Sequence, residues 1–208
     1  MTEPAGRSAR KHQAIMDAAT ELFLREGYQR ASMDEVAKRA AVSKQTVYKH
    51  FADKQRLFTE IVLHTLELAS GPVLDEVAAL PDTRDLPGDL RELARRYLAT
   101  VMRPQVLALR RMIIGEAVRQ PELAHAYYEG APESTLATLA DCFARLADRG
   151  LLRVPDPAVA AEQFAYLVLG KPLDKSLFYA DDELFTRAEL HAHADAAVNA
   201  FLAAYGAA

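Results

Sequence analysis

Apolar residues recur with a helical period along most of this chain. From about Arg10, the positions Ile15, Ala18, Ala19, Leu22 and Phe23 fall at i, i+3, i+4, i+7 and i+8, which predicts a single-faced amphipathic helix over about residues 10–26. Gly27 follows, where a left-handed residue commonly ends a helix. Ser32-Met33-Asp34-Glu35 has the form of a capping box, the Ser32 hydroxyl accepting from the third amide while Glu35 reaches back. Val36, Ala37 and Ala40 give a short second helix, 33–40, its buried face. A tight connection, Ala40-Ala41-Val42, leads to Ser43, a good N-cap for a third helix over 44–50. Val47 and Phe51, four apart, point together into a core. Lys44, Gln45, Thr46, Tyr48, Lys49 and His50 then face outward, with donors or charge and no carboxylate among them. Asp53 caps a fourth helix that begins near Lys54.

Beyond this point Leu57, Phe58, Ile61, Val62 and Leu66 predict a long fourth helix that pauses at Ser70-Gly71-Pro72 and resumes through Leu80. Pro81 to Pro87 read as a loop. Leu90, Leu93, Ala94, Tyr97, Leu98, Val101 and Met102 form the next helical run, and Pro104 restarts a helix expected to continue through Val118. Pro121 opens another, which Pro132 either kinks or ends by starting a new one. The run Leu136, Leu139, Ala140, Phe143, Leu146, Ala147 stops at Arg149-Gly150. Residues 157–179 are apolar almost all round, which predicts a helix buried on several sides. An alanine-rich helix over about 184–205 closes the chain. No alternating strand pattern occurs, so the fold class is all-α.

Composition narrows the function. The net charge is −4, yet residues 1–54 carry ten Lys/Arg against seven Asp/Glu, while the remainder carries 15 against 22. A basic segment on an acidic body suits a polyanionic partner. One cysteine, Cys142, excludes an internal disulfide framework and fits a reducing cytoplasm. No apolar stretch follows the polar N-terminus, so no signal peptide is expected. No membrane partner is expected either, since no stretch approaches the roughly 18 uncharged apolar residues that span a bilayer. His191-x-His193-x-Asp195 resembles a metal cluster, but residues two apart on a helix point about 200° apart and cannot share an ion. His191 and Asp195 could pair on the surface. Without a partner histidine, Cys142 reads as a small core residue. With no nucleophile motif, phosphate loop or zinc-ligand spacing, no catalytic residue, metal site or cofactor is expected, and the chain is not read as an enzyme.

The helix layout of the first fifty-odd residues is that of a helix-turn-helix. Leu22-Phe23, Glu26-Gly27-Tyr28, Ser32-Met33-x-x-Val36-Ala37, Ala41-Val42-Ser43-x-x-Thr46-Val47-Tyr48-x-His50-Phe51 and Lys54-x-x-Leu57-Phe58 resemble the N-terminal signature of TetR/AcrR-family transcriptional regulators, without gaps over about residues 10–60. The resemblance implies an all-helical homodimer with a three-helix DNA-binding head, residues 1–54, on a ligand-binding and dimerisation body, residues 55–208. It also implies a repressor, released from a palindromic DNA operator by a small-molecule effector. The alternative is a ligand-insensitive architectural DNA-binding protein with a packed body. Lys44, Gln45 and Thr46 are expected at base edges. Tyr48 and His50 match positions that in the family touch phosphates or the adjacent base, and Lys49, Lys54 and the helix start at Ser32 are expected at phosphates. Two positions depart from the family pattern. Ala41 stands where glycine is common, and so does Gln45, which adds a side chain able to pair with adenine. In the body, Tyr97, Met102, Met112, Glu116, Phe143 and Phe164 are candidates for a ligand pocket, with Tyr127 and Tyr128 nearby. Glu116 with Arg110-Arg111 reads as an ion pair or a polar anchor. The last two long helices are expected to form the dimer interface.

Overall fold

The computed structural model describes residues 4–179 and 184–207, and among them lie ten α-helices and no strand. They are α1 Pro4–Glu26, α2 Met33–Arg39, α3 Lys44–His50, α4 Lys54–Ala79, α5 Leu86–Val101, α6 Pro104–Glu116, α7 Pro121–Tyr128, α8 Ser134–Asp148, α9 Pro157–Phe178 and α10 Arg187–Tyr205. Helix α1 starts six residues earlier than its apolar period suggests, so Arg7, Arg10 and Lys11 lie on the helix. Capping residues set most of the other starts. Ser43 accepts from the Thr46 amide, Asp53 from Arg56, Asp85 from Gly88 and Asp156 from Ala158 and Val159. Pro104, Pro121 and Pro157 occupy first turns, where a missing amide proton costs nothing. Ser32 caps the Glu35 amide at 3.2 Å, but only half of the expected capping box forms. The Glu35 carboxylate pairs with Arg39 at 3.2 Å instead. A complete box forms at Thr186 and Glu189, at the head of α10.

Two apolar cores divide the chain. One joins α1, α2, α3 and the first half of α4, with Ile15, Leu22, Phe23, Val36, Val47, Phe51, Leu57 and Phe58. It also takes in Leu109 and Ile113 of α6 and Leu123 and Tyr127 of α7. The other joins the second half of α4 to α5, α8, α9 and α10. Its centre is a knot of fully buried rings, Phe143, Phe164 and Phe201, whose centroids lie 5.0–5.5 Å apart. Backbone bonds from Arg153 to Tyr205 (2.7 Å) and from Ala207 to Leu151 (3.3 Å) tie the C-terminal end to the connection between α8 and α9.

Several helices differ from their sequence patterns. Helix α4 does not pause at Ser70-Gly71-Pro72 but runs through Pro72 to Ala79. Leu66 is buried in one core and Val73 and Val77 in the other, so packing on both sides of Pro72 sustains the helix although proline removes one backbone bond. Over Lys54–Asp82 this helix and its terminal turn reach a mean hydropathy of 1.2 in an 18-residue window. By length and composition alone that would cross a bilayer, contrary to the sequence expectation. Service in two cores accounts for the apolarity. Helix α6 ends at Glu116, short of Val118. A wide turn, Glu129–Glu133, holds Pro132 between α7 and α8. Helix α9 breaks at Gly170 (φ 0°, ψ −114°), two residues before Pro172. Nor is α9 buried all round: Tyr166, Leu167, Phe178 and Tyr179 are exposed, Phe178 by 81%.

The turn between α2 and α3 contains the sole non-glycine residue with positive φ among the described residues, Ala41 at +51°. A Cβ there costs about 1–2 kcal/mol, more than the extra chain entropy of glycine. Ala41→Gly is therefore expected to stabilise the fold by about 0.5–1 kcal/mol, read as a higher midpoint in urea.

Candidate functional site

Helix α3 is pinned by Val47 (0% exposed) and Phe51 (2%) against α1, α2 and α4. This anchoring turns Lys44, Gln45, Tyr48 and Lys49 into solvent, with Thr46 and His50 half-buried. The six side chains differ in how free they are. Lys44 pairs with Asp34 of α2 at 2.7 Å and lies 5.9 Å from the Tyr48 ring. The Asp34 carboxylate holds the Lys44 ammonium above its usual range. Thr46 shares a 2.8 Å hydrogen bond with the Ser43 cap hydroxyl. Gln45 and Lys49 make no side-chain hydrogen bond or ion pair among the described residues, so nothing must break before they engage a partner.

His50 packs edge-on against His12 of α1, with centroids 5.7 Å apart. His12 in turn lies 4.8 Å from the Phe51 ring and is fixed by Glu60 of α4 at 2.8 Å. Burial, then the neighbouring His12, Lys49 and Lys11, lower the His50 pKa. The sequence reading missed His12 and Glu60. Their pairing links positions 48 residues apart, and no local pattern signals it.

Lys54 requires a correction. Its ammonium does not face outward to meet phosphate but donates to the carbonyls of Tyr28 (2.9 Å), Ala31 (3.1 Å) and Gln29 (3.4 Å). It also lies 4.4 Å from the centre of the Tyr28 ring, and burial lowers its pKa. All three protons are used to hold the connection between α1 and α2. Ser32 is exposed at the start of α2, its Oγ engaged by the Glu35 amide.

Two of the cavities among the described residues border α5, α6 and α9. One, of about 480 Å³, is lined by Tyr97, Arg110, Tyr128, Leu136, Tyr166 and Leu169 among others. The other, of about 550 Å³, holds Met102 with Arg95, Arg96, Arg111 and Leu190. Of the expected pocket residues, then, Tyr97 and Met102 line cavities, but different ones. Phe143 and Phe164 do not: both are fully enclosed in the ring knot. Met112 packs against the core of the head. Glu116, 7% exposed, accepts from Gln29 of the α1–α2 connection and lies 4.0 Å from Arg119. Its partner is neither Arg110 nor Arg111; Arg111 donates to the Ser176 carbonyl at 2.7 Å. His191 does not pair with Asp195, which Arg95 grips with two bonds of 2.7 and 2.8 Å. Cys142 is a buried core residue whose thiol burial pushes up to about 12. No cluster that could hold a metal ion occurs among the described residues.

Two lysines are thus expected to respond in opposite ways. Lys54→Met should lower stability by about 1–3 kcal/mol in urea unfolding, because it orphans backbone carbonyls. It should leave the salt dependence of any DNA binding unchanged. Lys49→Ala should leave stability intact and reduce the log–log salt slope by about one unit.

Residues 15–61 match the family described as bacterial regulatory proteins, tetR family, and residues 88–207 match the AefR-like transcriptional repressor, C-terminal domain. The HTH-type transcriptional regulator AcrR of Shigella flexneri is 32% identical over 117 residues, 56% of this chain and 51% of that protein, so the match spans about half of that relative's length. A crystal structure assigned to the TetR family from Mesorhizobium loti is 44% identical, covers 96% of this chain and 98% of its own, and superposes with a TM-score of 0.91. The flavonoid-responsive regulator FrrA is 33% identical over 95% of this chain and 98% of its own, with a TM-score of 0.78. With head and body both matched, and the fold shared over nearly the whole length, this chain belongs to the TetR family of transcriptional regulators.

Proposed function

We propose that this protein is a homodimeric repressor that binds a palindromic operator through α3 and is released by a small molecule bound in the body. The observation that carries the reading is the outward face of α3, where Gln45 and Lys49 stand unengaged on a helix whose other side is locked into the core. On DNA, Gln45, Lys44 and Thr46 meet base edges, and Tyr48, Lys49, His50 and the Ser32 end of α2 meet the backbone. Lys44 exchanges Asp34 for its DNA partner. The match of the body to a repressor-type C-terminal domain favours repression over activation. A two-fold dimer places two such helices about 34–36 Å apart, one turn of DNA. The exposed apolar residues of α9, with the small residues of α10, supply the face for that dimer. Release by a ligand is supported by the 480 Å³ cavity and by the flavonoid response in the name of the relative FrrA. The protein works by binding, in the cytoplasm.

Titrating the purified protein against the intergenic DNA upstream of its own gene tests this. Specific binding well above that to random duplex is expected; its absence would overturn the reading. Gln45→Ala should relax preference at particular base pairs, by about 1–3 kcal/mol of discrimination, without altering the salt slope. A pH effect follows from His50. Its lowered pKa favours the neutral imidazole in the free head, whereas a nearby phosphate favours the protonated form. Binding therefore takes up a proton, and affinity should rise as pH falls from about 7.5 to about 5.5. His50→Asn should flatten that part of the profile.

A further inference from the structure

We propose that the 480 Å³ cavity takes a flat, apolar molecule bearing one anionic oxygen group, such as a carboxylate, sulfonate or acidic phenol, and that Arg110 holds the charge. This rests on the effector reading above and adds the chemical class of the effector.

Arg110 differs from the arginines of α5 and from its neighbour Arg111. Arg95 is held by Asp195, Arg96 by Glu76 and Arg111 by the Ser176 carbonyl. Arg110, half-buried on α6, makes no hydrogen bond or ion pair among the described residues; its guanidinium carbon lies 5.9 Å from the centre of the Tyr127 ring. A guanidinium carries five donors, and with no protein partner these are free to meet an anion that enters the cavity. Beside it the Tyr97 hydroxyl, on a side chain only 8% exposed, also makes no hydrogen bond among the described residues. Burial pushes Tyr97 up to about 12 and raises Tyr127, so both phenols stay neutral and do not supply the missing anion. The remaining charged lining residues, Lys171 and Asp174, are exposed on α9, and Asp174 forms no ion pair with Arg110.

The rest of the lining is apolar or aromatic. Leu136, Ala165, Leu169, Leu173 and Leu177 form the greasy wall, with Tyr128 and Tyr166 adding ring faces. At the break in α9, Gly170 contributes no side chain. The volume lies within the range of about 300–1,000 Å³ usual for small-molecule sites. A half-buried guanidinium without a protein partner, beside a buried neutral phenol in an aromatic and aliphatic slot, fits a planar ring system bearing an anionic group.

Matched fluorescent probes test the charge requirement on the full-length protein: anilinonaphthalene sulfonate, which is anionic, and N-phenylnaphthylamine, which shares its rings but is neutral. Arg110→Met is expected to weaken the sulfonate at least about tenfold while changing the neutral probe less than about twofold. Arg110→Lys should recover part of the sulfonate affinity, and Leu136→Trp, which fills the slot, should weaken both. The proposal is overturned if Arg110→Met leaves the sulfonate unchanged or weakens both probes alike. It is equally overturned if Leu136→Trp affects neither. Adding operator DNA to the same samples separates the two readings. Charge-selective binding that Arg110 controls, but that never alters DNA affinity, would support this site and count against ligand release.

Discussion

Helix α4 belongs to both cores, and the arrangement of head on body depends on that shared membership. Leu57, Phe58, Ile61, Val62 and Leu66 lie in the core of the head, while Val73 and Val77 lie in the core of the body. Burying a large aliphatic or aromatic side chain is worth about 1.5–3 kcal/mol, so releasing either end of α4 would cost several such burials. That explains why the helix continues past Pro72 despite the lost backbone bond and steric clash there. The same demand explains its membrane-like hydropathy, since one helix furnishes apolar residues for two interiors.

Helix α6 provides a second link, placed so that a ligand could act through it. Arg110 faces the cavity, Leu109 and Ile113 are buried in the core of the head, and Glu116 accepts from Gln29 in the α1–α2 connection. These residues follow one another within two helical turns. On the proposed reading, a molecule bound at Arg110 displaces α6, and the head must follow because close-packed cores shift between discrete arrangements rather than deform smoothly. Ligand and DNA would then be coupled through their differing preferences for two dimer shapes.

The head itself balances constraint against availability. Ala41 accepts a left-handed backbone to make the sharp turn into α3, and Lys54 spends its whole ammonium on backbone carbonyls to hold the turn before α2. With these connections fixed, Val47 and Phe51 set the rotation of α3. Gln45 and Lys49 are then left without side-chain partners among the described residues.

Much of this was legible in the residues. Apolar spacing and caps located nearly every helix, because both act within one or two turns. The inward direction of Val47 and Phe51 and the core character of Cys142 follow from the same local rules. The failures share a cause. Lys54, Glu116, Phe143 and Phe164 have side chains that suit a surface or a pocket by type, but their roles depend on partners distant in sequence: the Tyr28 to Ala31 carbonyls, Gln29, and the ring of Phe201. Arg110 illustrates the converse. Its sequence context left an ion pair with Glu116 and a polar anchor both open, and only the packing of α5, α6, α8 and α9 left it unpaired beside a cavity. Local chemistry determined the helices and most of their capped starts. Tertiary structure decided which polar side chains are consumed inside the protein and which remain free, because hydrogen-bond satisfaction depends on what the fold brings within about 3 Å and not on neighbours along the chain.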